Sequence, residues 1–213
     1  ETVYSFTGGS DGSAPGDTLV QDAVGNLYGT TGFGGEYNSG LVFRLAPSSG
    51  GTWNETVLYT FTGKSDGGYP AGVTIDQAGN LYGTTDTGGL HWRGGGGYGT
   101  VFELMPSNGT WTFATLYHFH EYVLANAGLL LSGRKTLYGT TLVGGSNRVG
   151  IAYKLTQSGG AWRETVLQSF GGVRGESPYA GLISVKGIFY GVTSRGGEKG
   201  GFECSPSSPC SWV

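Results

Sequence analysis

The stretch Leu27–Thr31, LYGTT, returns at Leu81–Thr85 and at Leu137–Thr141, and a decayed copy, FYGVT, stands at Phe189–Thr193. The tyrosines of the four copies are Tyr28, Tyr82, Tyr138 and Tyr190, spaced by 54, 56 and 52 residues. A fixed period of this size marks a repeat architecture. Two further series keep step with it. Ahead of each copy come ETVYSF at Glu1, ETVLYTF at Glu55, FATLYHF at Phe113 and ETVLQSF at Glu164. Behind each come GLVFRL at Gly40, GTVFEL at Gly99, GIAYKL at Gly150 and GGFECS at Gly200. A tryptophan follows the third series each time, at Trp53, Trp111, Trp162 and Trp212.

Each unit thus holds four short apolar runs separated by Gly, Asp, Asn, Ser or Pro. In the second unit they are GVTID, NLYGTT, GTVFEL and TFATLYHF, with the glycine-containing turn QAGN between the first two. Such turns between β-type runs signal hairpins. Four antiparallel strands per unit, here termed A to D from the axis outward, are the pattern of a β-propeller blade. The termini sharpen this. Joined, PCSWV and ETVYSF read SWVETVYSF, which matches TWNETVLYTF at Thr52 and AWRETVLQSF at Ala161. The expectation is an all-β fold: one domain over 1–213, a propeller of four blades of four antiparallel strands. The blades fall near 17–61, 71–119, 127–170 and 180–213 plus 1–6, so that the N-terminal strand closes the last blade and covers a sheet edge. A fragment of a longer array, or a dimer forming an eight-bladed ring, is the competing arrangement to this monomer.

Composition agrees. The 44 glycines among 213 residues are about three times the usual share. Aromatic residues reach 13%, enough to supply a core, while charged residues are only 13%. With a net charge of −3 and no Lys/Arg cluster, nucleic acid and anionic membranes are poor partners. No apolar run reaches the roughly 20 residues of a membrane helix, so no membrane insertion is expected. No signal peptide is visible; the opening ETVYSF reads as a mature or trimmed terminus. Cys204 and Cys210 bracket SPSSP. They read as a small disulfide or as two free thiols, and the disulfide favours an extracellular, periplasmic or cell-surface setting.

The pattern GNLYGTT, then GG, then G-x-VF-x-L resembles the GloVer-type tandem repeat of bacterial secreted and surface proteins. Three copies match well; the fourth keeps Tyr190, Gly191, Thr193, Gly196 and Gly197. The resemblance implies a β-propeller and secretion, and no particular chemistry. The layout is also similar to propellers of the NHL and streptogramin-lyase type, without a match that carries over their catalytic groups.

The repeated residues are expected to build the scaffold. The tyrosine of LYGTT packs between blades, the next glycine allows close approach, the threonines bond local backbone, and the Asp of SDG (Ser10–Gly12, Ser65–Gly67) caps a turn. Function is expected where copies differ. Between strands B and C, blade one has TTGFGGEYNSGLVF and blade two TTDTGGLHWRGGGGYGTVF, which adds His91, Trp92 and Arg93. Between strand D of blade two and strand A of blade three the chain reads FHEYVLANAG, with His120, Glu121 and Tyr122 just after His118. In an up-and-down blade the B–C and D–A loops emerge at one end, so this end is the candidate site.

Three functions compete there. Trp92 flanked by His91 and Arg93 can stack on a sugar, with Arg174 as a further ligand-binding residue; this makes the protein a binder of glycan or another extracellular ligand. A hydrolase or lyase acting on polysaccharide would use His120, Glu121, Tyr122 and Glu176 as acid/base candidates. His91, His118 and His120 can hold a divalent metal. A purely structural repeat protein remains the third function. The local signatures G-x-S-x-G, H-E-x-x-H, C-x-x-C and the P-loop are absent.

Overall fold

A computed structural model describes residues 2–90, 96–125, 127–133 and 135–197. The chain divides into two compact units, Glu1–His120 and Glu121–Val213. Both are built of antiparallel sheets in meander order, as expected for a propeller-like all-β chain.

Unit one contains two four-stranded sheets. The first is β1 (Ser13–Gln21), β2 (Leu27–Phe33), β3 (Leu41–Pro47) and β4 (Trp53–Thr60); the second is β5 (Gly68–Ile75), β6 (Leu81–Thr87), β7 (Thr100–Ser107) and β8 (Thr110–His118). Unit two repeats the arrangement in β9 (Leu130–Leu131), β10 (Thr136–Thr141), β11 (Ile151–Ser158) and β12 (Ala161–Ser169). Two hairpin pieces follow: β13 (Glu176–Pro178) pairs with β16 (Thr193–Arg195), and β14 (Ile183–Val185) with β15 (Ile188–Tyr190). Register identifies the pieces as one A–B hairpin interrupted in the middle. Pro178 faces Thr193 as Pro15 faces Thr31 and Pro70 faces Thr85. The GGFECS run, both cysteines and Trp212 lie outside the described residues.

Each letter of LYGTT has a separate task. Alternation along β2 sends Leu27 and Gly29 to one face and Tyr28 and Thr30 to the other. Leu27 lies against the Leu41, Phe43 and Leu45 cluster of its own sheet. Tyr28 is buried in a cluster with Val73, Leu81, Phe102 and Leu104 of the second sheet. Its hydroxyl donates to Asp22 at 3.0 Å. Burial and this carboxylate raise its pKa, so the phenol stays a donor. At Gly29 a Cβ would stand 2.7 Å from both Leu19 Cδ2 and Phe43 Cζ, and at Gly139 2.6 Å from Tyr153 Cζ. Glycine is there to seat the ring of strand C.

The threonines correct one expectation. The second of each pair bonds locally: Thr31, Thr85 and Thr141 donate to the carbonyls of Phe33, Thr87 and Val143 at 2.9, 3.1 and 2.7 Å. In the first and third copies the first threonine reaches the inner strand that follows instead. Thr30 Oγ1 accepts from the Gly72 N–H at 2.9 Å and donates to the Pro70 carbonyl at 3.4 Å; Thr140 donates to the Ala180 carbonyl at 3.0 Å. Thr30→Val keeps the shape and leaves a buried N–H unpaired. Chemical denaturation is expected to show a loss of about 1–3 kcal/mol; an unchanged midpoint would mean the bond contributes nothing.

The N-terminal segment packs on the first sheet as β4 packs on the second. Tyr4–Phe6 and Phe6–Phe43 are edge-to-face at 5.0 and 4.9 Å; Tyr59–Phe61 and Phe61–Phe102 are edge-to-face at 5.1 Å each. The following loops also match. Asp11 accepts from the Thr7 N–H, the Thr7 hydroxyl and the Tyr4 hydroxyl. Asp66 accepts from the Thr62 N–H, the Thr62 hydroxyl and the Tyr59 hydroxyl. Both aspartates hold turns, as the SDG motif led us to expect.

Candidate functional site

Within each unit, the loops that join B to C and D to A meet at one end, and glycine pairs tie them together. Gly35, Gly89 and Gly197 donate their N–H groups to the carbonyls of Gly9, Lys64 and Gly172, at 2.9, 2.8 and 3.1 Å. At the corresponding place in blade three, Gly145 donates to the Glu121 side chain, Oε1, at 2.9 Å. The carboxylate therefore does what a backbone carbonyl does in the other copies, because HEYVL replaces the usual D–A loop. Glu176, at the start of β13, accepts from the Gly172 N–H at 3.2 Å. Both carboxylates among the acid/base candidates hold loop backbone. Glu121→Ala is expected to cost about 1 kcal/mol in thermal or chemical unfolding, and Glu121→Gln, which keeps an acceptor, less. Equal costs for the two variants would contradict this role.

His118 and His120 have different neighbours. His118 ends β8 opposite Thr100 and lies beside Gly89, where a Cβ would come within 3.3 Å of its Nδ1. Phe119 is buried, and its N–H donates to the Gly99 carbonyl at 3.2 Å. His120 is exposed past the end of the strand, with its ring edge-to-face to Tyr117 at 5.7 Å. Among the described residues no three His, Cys, Asp or Glu side chains gather in a way that would hold a metal. His91, Trp92 and Arg93 lie outside the described residues. Arg174, the last residue of the short 3-10 turn Gly172–Arg174, and Tyr122 are both exposed.

A further set of side chains emerges here, of which the loop comparison had picked out Tyr122 alone. Five aromatic residues are exposed among those described: Phe33, Tyr37 and Tyr69 in unit one, Tyr122 and Tyr179 in unit two. The first four lie in a B–C or D–A loop, or at the strand end beside one, and Tyr179 stands in the break of strand A between β13 and β14. The opposite ends, at the A–B and C–D hairpins, expose none among the described residues. Their tryptophans Trp53, Trp111 and Trp162 are half-buried, and Trp111 packs edge-on against Tyr28 at 6.0 Å.

Phe33 and Tyr69 face each other edge-to-face at 5.1 Å. The repeat carries Thr87, Val143 and Arg195 where Phe33 stands, and Ala14 and Ser177 where Tyr69 stands. Both rings are therefore single-copy departures, and aligning the copies position by position would have found them. Tyr69 also has an unusual backbone. It precedes Pro70 with φ of 54°, like Ala14 at 50° and Ser177 at 52°, a region costly for non-glycine residues and disfavoured before proline. The Tyr69 N–H donates to the Ser39 carbonyl at 2.8 Å, and the Ser177 N–H to that of Val149 at 2.7 Å. These bonds hold the inner strand of one sheet to the B–C loop of the sheet before it.

Comparison with known proteins accords with this architecture. Solved structures similar to the chain include the Hadza microbial sialidase Hz136, at a TM-score of 0.52 and 16% identity, over 91% of this chain and 44% of that one. The chain thus spans less than half of that protein, and the likeness is one of fold. A search of curated proteins gave no match. The family described as Gloeobacter/Verrucomicrobia repeat matches residues 1–203, and the chain belongs to it.

Proposed function

We propose that this member of the Gloeobacter/Verrucomicrobia repeat family is an extracellular binding protein that holds a glycan on its B–C/D–A loop end. The observation that carries this is the placement of the exposed rings. Four of the five exposed aromatic residues among those described, Phe33, Tyr37, Tyr69 and Tyr122, stand at that end of their own unit. An aromatic ring in water exposes apolar surface without a packing return, and surface aromatics at a loop-lined end are the side chains of choice for contact with a ligand. Sugars combine apolar C–H faces with hydroxyls and match a mixture of rings and short polar groups. That a protein of the same fold is named a sialidase agrees with this and does not carry it.

Binding is favoured over hydrolysis because Glu121 and Glu176 each accept a backbone N–H, which gives both carboxylates a structural task. The ring belongs to the same proposal: four blades, with Glu1–Phe6 as the outer strand of the last. Its support is the way Tyr4 and Phe6 reproduce the packing of Tyr59 and Phe61. A glycan array tests the function. Saturable binding without product release is expected. Release of sugar that stops in Glu121→Gln or Glu176→Gln would replace binding by catalysis, and binding to no glycan would overturn the proposal.

A further inference from the structure

We infer that Phe33, Tyr37 and Tyr69 form one glycan subsite, between the B–C loop of blade one and the D–A loop of blade two, and that it takes a neutral pyranose. The inference rests on the glycan-binding function proposed above and assigns its position and its class of sugar.

The two loops are packed into one surface. The Tyr69 N–H donates to the Ser39 carbonyl at 2.8 Å, and the Phe61 N–H to the Gly40 carbonyl at 3.0 Å. A Cβ on Gly63 would stand 2.6 Å from Ser39 Oγ, so the loops have no slack between them. On this base the Phe33 and Tyr69 rings hold each other edge-to-face at 5.1 Å, and remain 45% and 36% exposed. Tyr37, 50% exposed, follows Glu36 on the same B–C loop. The neighbouring Glu36 carboxylate raises the pKa of the Tyr37 hydroxyl and keeps it a donor. Asn38 Oδ1 accepts from the Gly34 N–H at 3.0 Å, which commits the amide oxygen to the loop.

The charges on these loops decide the class of ligand. Asp66 is consumed by the turn at Thr62. That leaves one exposed acid, Glu36, and one exposed base, Lys64. No cluster of basic side chains is present on either loop to take a carboxylate, sulfate or phosphate. A surface with rings, an acceptor, a donor and balanced charge fits an uncharged sugar with an apolar C–H face and equatorial hydroxyls. Two of the three rings occur once in the repeat, so the other blades supply replacements that their backbone already accepts. Tyr69→Ala puts at that position the residue of Ala14, and Phe33→Thr the residue of Thr87.

The test uses the whole chain on an array of neutral, uronate-bearing and sialylated glycans, with proline-rich peptides as the alternative partner. The strongest glycan is then titrated against Phe33→Thr, Tyr37→Ala, Tyr69→Ala and Trp92→Ala, each checked for an unchanged melting temperature. The inference expects binding to neutral glycans, weakened at least about tenfold by each of the first three substitutions. Neutral-glycan binding that survives all three overturns the subsite and leaves the binding function standing. Binding confined to charged glycans overturns the sugar class. Binding of the proline-rich peptides alone, or of nothing, overturns the binding function and the subsite together.

Discussion

Phe61→Ala is expected to lower the unfolding free energy by about 3–5 kcal/mol, the range for removing a large buried ring whose cavity cannot collapse. Phe61 is fully buried just past the end of β4, the outer strand of the first sheet, and meets the second sheet through Phe102 at 5.1 Å and Phe113 at 5.9 Å. Tyr59 beside it stacks on Phe113 at 4.1 Å, with planes 9° apart. The same position is filled by buried Phe119 and Phe170 in the next two copies. This one ring joins two sheets, and a domain is stable by only about 5–15 kcal/mol in total. Urea unfolding followed by tryptophan fluorescence measures the loss. A change no larger than that of a surface substitution would mean that the sheets are not held through this contact.

The second large effect comes from adding one methyl group. In Gly83→Ala the new Cβ would stand 2.7 Å from the Gly72 carbonyl oxygen and 2.8 Å from Phe102 Cε1. One neighbour is backbone and the other a fully buried ring, so neither can give way cheaply. Overpacking of this kind costs about 1–3 kcal/mol and sometimes more. Gly16→Ala is the control: it lies on a strand of the same unit and a Cβ there meets nothing within 4 Å. The expected result is a marked loss of stability for Gly83→Ala and little change for Gly16→Ala. Equal melting temperatures would show that the glycine of LYGTT is not needed to seat the ring.

The scaffold was legible in the sequence because the same five residues recur in the same physical setting. Leucine, tyrosine and glycine carry their packing roles in their size, and alternation along a strand assigns the faces. The role of the first threonine was not legible. Its partners, Pro70 and Gly72, are 40 and 42 residues away and come near only when one sheet lies on the next. Strand starts also differed from the periodicity. β1 begins at Ser13 and β5 at Gly68, since irregularities between Gly16 and Val20 and between Pro70 and Val73 break the alternation that marks a strand.

The candidate site was legible only as an end of the fold. Loop length drew attention to His91–Arg93 and to His118–Tyr122, and Tyr122 is indeed exposed there. Glu121 read as chemistry because a carboxylate standing in for a carbonyl cannot be seen before the Gly145 N–H is placed beside it. Phe33, Tyr37 and Tyr69 were hidden by abundance. Most aromatic residues of this chain are at least half-buried in the scaffold, and sequence alone does not separate a ring that packs from one that faces water.

The most direct test of the account is hydroxyl-radical footprinting of the whole chain with and without a glycan that binds it. The account predicts protection of Phe33, Tyr37 and Tyr69 in the glycan-bound sample, with Val24, Trp53 and Trp111 at the opposite end unchanged. Protection at those hairpin residues, with Phe33, Tyr37 and Tyr69 as reactive as before, would contradict it.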